Sequence, residues 1–354
     1  MKFKKPFFIA EISANHNGNF NKAIKLIKLA KDSGADAVKL QTYTADSMTL
    51  KSNKKYFKIT KGLWKGYKLW DLYNKAKTPY SWHERLFVYA KKINIKIFST
   101  PFDENAVDFL EKLKCPFYKV ASFEMLDFSL IKKIARTNKP IIISTGMSSL
   151  KEIEASYRIA KYHGARKITL LYCVSNYPSK ISDFNLYNIK IMKRKFNCEI
   201  GFSDHSNDSR IAAIAVKMGA TVVEKHIKLK NVKSLDYDFS IDVVNLKNFK
   251  HLINNRKIEN QKFFSKIIGK KNFYRNRSEN DSKLFRRSIF ISKNIKKGSK
   301  FNKNNIKRVR PGHGISPVYY DQILGQKSNF NLKANQPLLK KNLVGCDINL
   351  KKKL

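Results

Sequence analysis

Two histidines sit where imidazoles can do metal chemistry. Gly201-Phe202-Ser203-Asp204-His205-Ser206 closes the apolar run 198–202, and Val223-Glu224-Lys225-His226 closes the run 221–223. An apolar, β-branched run that ends in polar residues reads as a strand whose C-terminal end lies at a rim. Two imidazoles on neighbouring strand ends can share one divalent cation. Other strand ends carry polar residues that a core alone does not require: Glu11, Lys39, Gln41, Thr100, Lys119, Ser122, Glu124, Ser144, Thr145, Tyr177, Ser203 and Lys225. Lys39 and Lys119 interrupt otherwise apolar strands, and a buried ammonium is costly unless it meets an anion. With Ser122 and Ser203 on the same rim, that anion reads as a phosphate or a carboxylate. Glu11 and Glu124 are candidates for moving protons or gripping hydroxyls. Lys119 could also form a Schiff base with a carbonyl. The paired histidines favour metal activation instead, since a metal polarises an aldehyde directly.

These residues need a frame that brings strand ends together. Candidate strands fall at 7–12, 37–42, 95–100, 117–122, 140–145, 167–173, 198–203 and 221–226. Between most of them lie helix-length stretches with apolar residues three and four apart, such as Ala23, Leu26, Ile27, Leu29 and Ala30. Alternating β and α units imply a parallel sheet, and eight of them imply a closed (β/α)8 barrel with its chemistry at the C-terminal rim. Ser13-Ala14-Asn15-His16-Asn17-Gly18, after the first strand, is not a glycine-rich dinucleotide loop. The second connection, 43–80, is unusually long and holds Trp64, Tyr67, Trp70 and Tyr73. A long loop on a barrel rim usually has work to do, and this one is placed to cover a substrate. The boundaries expected are a barrel over 1–260, a polar linker over 261–284 and a small β-rich module over 285–350, with a frayed basic tail at 351–354.

Composition bounds the function classes. The chain has 354 residues, 42% hydrophobic, enough for a barrel of ~250 residues and a second module. No apolar run reaches the ~18 residues of a membrane span. The short run behind the basic residues 1–5 ends in Glu11, which suits a first strand better than a signal peptide. Cys115, Cys173, Cys198 and Cys346 show no CxxC spacing, and the first three, in or beside apolar runs, read as reduced, buried thiols of a cytoplasmic protein. The formal charge of +45 is spread along the chain. Without a nucleic-acid-binding motif it reads as solvated surface rather than a nucleic-acid footprint, and its field would draw in an anionic substrate.

Several ordered stretches carry a resemblance: Ile9-Ala10-Glu11-Ile12-Ser13-Ala14-Asn15-His16, Val38-Lys39-Leu40-Gln41-Thr42, Phe98-Ser99-Thr100-Pro101-Phe102, Tyr118-Lys119-Val120-Ala121-Ser122-Phe123-Glu124, Ser144-Thr145-Gly146-Met147, Gly201-Phe202-Ser203-Asp204-His205 and Glu224-Lys225-His226. With Phe285-Arg286-Arg287-Ser288 and Arg308-Val309-Arg310-Pro311-Gly312, the chain resembles the sialic-acid synthase family, barrel and antifreeze-like (SAF) domain together. Gln41-Thr42-Tyr43-Thr44-Ala45-Asp46-Ser47 and Leu69-Trp70-Asp71-Leu72-Tyr73 place it nearest the pseudaminic branch, ahead of the neuraminic and legionaminic ones. The resemblance implies condensation of phosphoenolpyruvate with an amino-sugar aldehyde, with C–O cleavage and loss of phosphate. It implies a divalent ion, Mn²⁺ ahead of Mg²⁺ or Co²⁺, on His205 and His226. It places Lys39, Thr100, Lys119, Ser122, Tyr177 and Ser203 on phosphoenolpyruvate, and Glu11, Gln41, Glu124 and Asp236 toward the sugar or its protons. Asp236 is chosen over Asp238. Ser175 stands where the family tends to have asparagine. Arg310 would reach the sugar across a domain-swapped homodimer. The competing non-enzymatic reading is a binder of nucleic acid or ice.

Overall fold

A computed structural model of the chain describes residues 5–256 and 261–344. Cys346 and the basic tail 351–354 lie outside the described residues.

Eight parallel strands form in chain order: β1 (Phe7–Glu11), β2 (Ala37–Thr42), β3 (Lys96–Pro101), β4 (Tyr118–Val120), β5 (Ile141–Ser144), β6 (Ile168–Cys173), β7 (Glu199–Asp204) and β8 (Val222–Lys228). Each pairs with the next, and β1 also pairs with β8, which closes the barrel. The strands are short and apolar because both faces are covered, by helices outside and by layered side chains within. The helix Phe20–Asp32 shows how the sequence builds the outer layer. Asn19 caps it by accepting from the Lys22 amide, and Ala23, Leu26, Ile27 and Ala30 form the buried stripe. At Gly201 in β7 a Cβ would meet the Leu171 side chain at 2.5 Å and the Val222 carbonyl at 2.6 Å, so only glycine lets the neighbouring strands close. A two-residue strand, β9 (Ile241–Asp242), pairs in parallel with the end of β8.

The register sets the rim. Glu11 is level with Lys39 on one side and His226 on the other. Gln41 is level with Thr100, and Ser203 with Glu224. Residues two apart on a strand share a face, so Glu224 and His226 point inward together while Lys225 points out. Lys225 instead pairs with Asp204 at 2.9 Å, outside the cavity.

The C-terminal module is an antiparallel sheet with β10 (Ser288–Ile291) between β11 (Ile306–Val309) and β12 (Gln336–Pro337). It has its own apolar core, including Ile289, Phe301, Ile306, Ile323 and Leu338. The long second connection folds as short helices, Ala45–Met48 and Leu69–Ala76, and packs between barrel and module. Its Tyr43, Met48, Phe57, Leu69 and Leu72 share an apolar cluster with Phe290 and Val309 of the module. The aromatic connection therefore serves both as a packed layer and as a cover.

One expectation differs from what is found. Residues 261–284 are not a plain tether: they form the helix Gln261–Ile268 and the start of the 3-10 segment Arg277–Phe285. Polar side chains hold this stretch to the barrel, as Asn188 does by accepting from the Tyr274 amide at 3.1 Å. The module also rests on its own barrel. The Arg310 amide donates to the Met48 carbonyl at 2.8 Å and Thr49 Oγ1 donates to the Arg310 carbonyl at 2.8 Å. Arg310 thus lines the cavity of its own chain, because the docked linker returns the module to the rim it started from.

Candidate active site

A cavity of about 140 Å³ opens at the C-terminal rim. Lys39, Gln41, Thr100, Lys119, Ser122, Tyr177, Ser203, His205, His226, Asp236 and Arg310 all line it. Glu11 and Glu124 do not reach its surface. Each is fully buried behind a cation, Glu11 behind Lys39 and Glu124 behind Arg310. The volume is below the ~300–1,000 Å³ of most small-molecule sites. Arg310, Tyr73 and Trp64 are among the groups that line it, and Trp64 is tethered by its indole N–H to the Leu235 carbonyl at 3.0 Å.

The floor is a charge cluster. Lys119 meets Glu224 at 2.9 Å, Lys39 pairs with Glu11 and stands 3.7 Å from Glu224, and Ser203 donates to Glu224 at 3.0 Å. The anions expected beside the two buried lysines are thus present already as protein carboxylates. Burial would raise the Glu224 carboxyl, but Lys119 and Lys39 outweigh it and hold it down at about 2. Glu11 goes the other way: burial and the Glu224 charge raise its pKa against the pull of Lys39. One carboxylate is firmly ionised and its neighbour is readier to hold a proton.

Beside the floor stand the histidines, ring centres 5.6 Å apart. His205 Nδ1 faces the Val174 carbonyl at 2.8 Å, which as a donor leaves Nε2 with its lone pair free. His226 Nδ1 is buried with no hydrogen-bond partner. Burial pushes the His205 pKa down to about 4 and that of His226 well below the ordinary value, so both are neutral near pH 7. Two neutral imidazoles, one with an orphaned nitrogen, fit a shared divalent ion. Tyr177 packs on His205 at 4.4 Å and Phe239 on His226 at 4.9 Å, fixing both rings. No cluster of three or more His, Cys, Asp or Glu suited to a metal occurs among the described residues.

The upper wall is built from two directions. Ser13 donates to Asp236, and Gln41 donates to Ser13 at 2.8 Å. Asp236 faces the cavity while Asp238 is exposed, and burial raises the Asp236 pKa. Opposite, Arg310 makes a two-pronged pair with Glu124 at 2.8 Å on each oxygen, and its Nε adds a contact at 2.9 Å. Arg287 donates to the same carboxylate at 3.2 Å.

The NeuB family model matches residues 26–262 and the SAF domain model matches 286–344. A pseudaminic acid synthase of Helicobacter pylori is 42% identical, covering 94% of this chain and 96% of its own length. An N,N'-diacetyllegionaminic acid synthase of Campylobacter jejuni is 37% identical, covering 94% and 98%. The crystal structure of the spore coat polysaccharide biosynthesis protein SpsE of Bacillus subtilis superposes with a TM-score of 0.83 at 28% identity, covering 97% and 96%. This chain belongs to the NeuB family.

Sequence reasoning passed over several residues of this NeuB-family site. Glu224 was visible only as part of a motif, yet strand alternation puts it on the His226 face between the two lysines. Phe239 carried no polar strand-end signal, Arg287 entered only within the stretch 285–288, and Trp64 was marked by the long second connection rather than by a strand end. Ser175 is buried with no partner for its hydroxyl, and it lies against Gly146, where a Cβ would come within 1.9 Å of Ser175 Oγ.

Proposed function

We propose that this chain is a pseudaminic acid synthase, joining phosphoenolpyruvate to 2,4-diacetamido-2,4,6-trideoxy-L-altrose and releasing phosphate. The observation that carries this reading is the 42% identity to pseudaminic acid synthases along almost the entire length of both chains. The cavity supports it: one end offers lysines and serine hydroxyls to a phosphate, the other offers Asp236, Gln41 and Arg310 to a polar sugar.

A divalent ion on His205 and His226, Mn²⁺ ahead of Mg²⁺ or Co²⁺, would polarise the aldehyde. Lys119, Ser122 and Ser203 would bind the phosphate of phosphoenolpyruvate, with Lys39 and Thr100 (3.1 Å apart) beside them. Two glutamates against two lysines leave the floor near neutrality, so an anionic substrate gains from an added cation. The enol carbon attacks the aldehyde, positive charge develops at C2, water adds there, and the tetrahedral intermediate expels phosphate by C–O cleavage. Glu11, buried behind Lys39, would not touch that water; it would fix the Lys39 ammonium at the floor of the site. Asp236 and Ser13 would orient the sugar, and Tyr177 would keep His205 in place.

Phosphate release should be measured with phosphoenolpyruvate and each of three aldehydes, the precursors of pseudaminic, legionaminic and neuraminic acids. The altrose derivative is expected to give the highest kcat/KM; preference for either other sugar overturns the pseudaminic assignment. Phosphoenolpyruvate and the unpaired thiols Cys115, Cys173 and Cys198 support a cytoplasmic setting. No described helix is long and apolar enough to cross a membrane. Exchange of modules in a homodimer is tested by mixing an Arg310→Ala chain with a His205→Ala chain. Regained activity requires an Arg310 supplied in trans, and a dead mixture of verified mixed dimers means each module serves its own barrel.

A further inference from the structure

Glu279 comes from the stretch between barrel and module and is 1% exposed. Its Oε1 accepts two amides at once, Met147 N–H at 2.8 Å and Ser175 N–H at 2.9 Å. Those amides follow β5 and β6, so one oxygen ties two neighbouring strand ends together. Arg275, four residues earlier, fastens the same loops from their carbonyl side. It donates to Cys173 at 2.7 Å, to Ser148 at 3.1 Å and to Thr145. Its guanidinium also stands 3.8 Å from the other Glu279 oxygen.

What these loops hold is the hydroxyl end of the cavity. Ser144 lines it. The Gly146 amide donates to Ser122 Oγ at 3.0 Å. A Cβ on Gly146 would fall 1.9 Å from Ser175 Oγ and 2.9 Å from Ser122 Oγ, so both hydroxyls converge on this one residue. The hydroxyls of Ser144 and Ser175 are buried without a partner, which is costly unless a ligand completes them. Met147, next in the chain, has φ +52°, a left-handed conformation that a methionine keeps only when its surroundings impose it. The Glu279 contact to its amide is such an imposition.

We propose that Glu279, backed by Arg275, is a positioning residue for the phosphate-binding end of the site. It sets where the hydroxyls of the β5 and β6 loops meet a bound phosphoenolpyruvate. The proposal rests on the functional reading above, since it assumes that phosphoenolpyruvate occupies this end. Hydroxyls bind a phosphate by geometry more than by charge, so a loop shift of about 1 Å is enough to weaken them. The segment joining the domains is then part of the active-site frame as well as a connection.

The test is calorimetric titration of the full-length protein with phosphoenolpyruvate alone, accompanied by thermal melting. Glu279→Ala leaves two buried amides unpaired and should weaken binding at least roughly tenfold. Glu279→Gln keeps an oxygen that can accept both amides and should bind within about threefold of wild type. In turnover, Glu279→Ala should raise KM for phosphoenolpyruvate and leave KM for the sugar unchanged. Should Glu279→Ala fail to fold, Arg275→Lys keeps the charge but loses the fork that spans three carbonyls, and should weaken binding in the same direction. A variant that melts lower yet binds phosphoenolpyruvate like wild type overturns the proposal, leaving Glu279 as a seal between linker and barrel. Failure of the wild-type protein to bind phosphoenolpyruvate overturns the functional reading itself, an outcome visible before any variant is made.

Discussion

The pair between Arg310 and Glu124 is the joint between module and barrel at the cavity, and its strength can be worked out from its geometry. Three guanidinium contacts reach one buried carboxylate at 2.8, 2.8 and 2.9 Å. Glu124 is fully buried and Arg310 nearly so. Removing one member of a buried pair costs about 3–5 kcal/mol, because the other charge stays behind unpaired. Arg287 remains 3.2 Å from Glu124 in an Arg310→Ala variant and keeps that charge partly compensated. Arg310→Ala is therefore placed at the low end, about 3 kcal/mol. Glu124→Ala leaves the buried Arg310 guanidinium without its carboxylate, while Arg287 keeps Asp127 at 3.9 Å, and belongs nearer the high end, about 4–5 kcal/mol. The double variant leaves no unpaired carboxylate and should cost less than the sum, a coupling of about 2–4 kcal/mol. Arg310→Lys keeps the charge without the fork and should recover only part of the loss. Urea unfolding of the four proteins at pH 7 gives the cycle. Strict additivity of the two single variants would refute the pairing, and with it the seating of this module on this barrel.

Other expectations follow from the same geometry. His205→Ala and His226→Ala should each abolish turnover with melting temperature nearly unchanged, and chelated enzyme should regain activity to graded degrees with Mn²⁺, Co²⁺ and Mg²⁺; full activity in chelator would contradict this. Lys119 is held by Glu224 at 2.9 Å and should act as a fixed charge, so borohydride in the presence of substrates should trap no lysine adduct; a covalent adduct would restore the Schiff-base reading. Phosphoenolpyruvate labelled at its bridging oxygen should deliver the label to inorganic phosphate, whereas label in the sugar product would mean P–O cleavage. Glu152 anchors the start of the module through Arg286 at 2.7 Å; burial opposes its ionisation, but Arg286 and Ser149 prevail and lower its pKa. Its stabilisation is then complete above about pH 4.5 and lost as pH falls through the depressed folded value. The urea-midpoint gap between wild type and Arg286→Ala should close on that acid side only, and a gap constant from pH 7 to 3 would count against the pairing.

The barrel was readable from sequence because its signals are local. Each strand is a short β-branched run, each helix carries an apolar stripe, and each strand end shows a polar residue where an apolar one would pack. The ends of the eight strands expected lie within two residues of those found, and the rim residues meet because parallel register allows little choice. Alternation along β8 could also have separated Glu224, which faces the cavity, from Lys225, which does not. What was not readable depends on contacts between segments far apart in sequence. Glu279 reaches Met147 across 132 residues, and nothing near it in the chain marks it among its polar neighbours. Arg310 was readable as a functional side chain from its turn, but not as a residue whose charge is met by Glu124, 186 residues away. The polarity of residues 261–284 suggested a tether for the same reason. Arg275, Asn276 and Glu279 look like solvated groups until their partners are known, and those partners are barrel backbone atoms that composition cannot reveal. A polar segment is a tether only if its polar groups point to water. Here they satisfy the open ends of strands, which is why the segment both fixes the module and shapes the site beneath it.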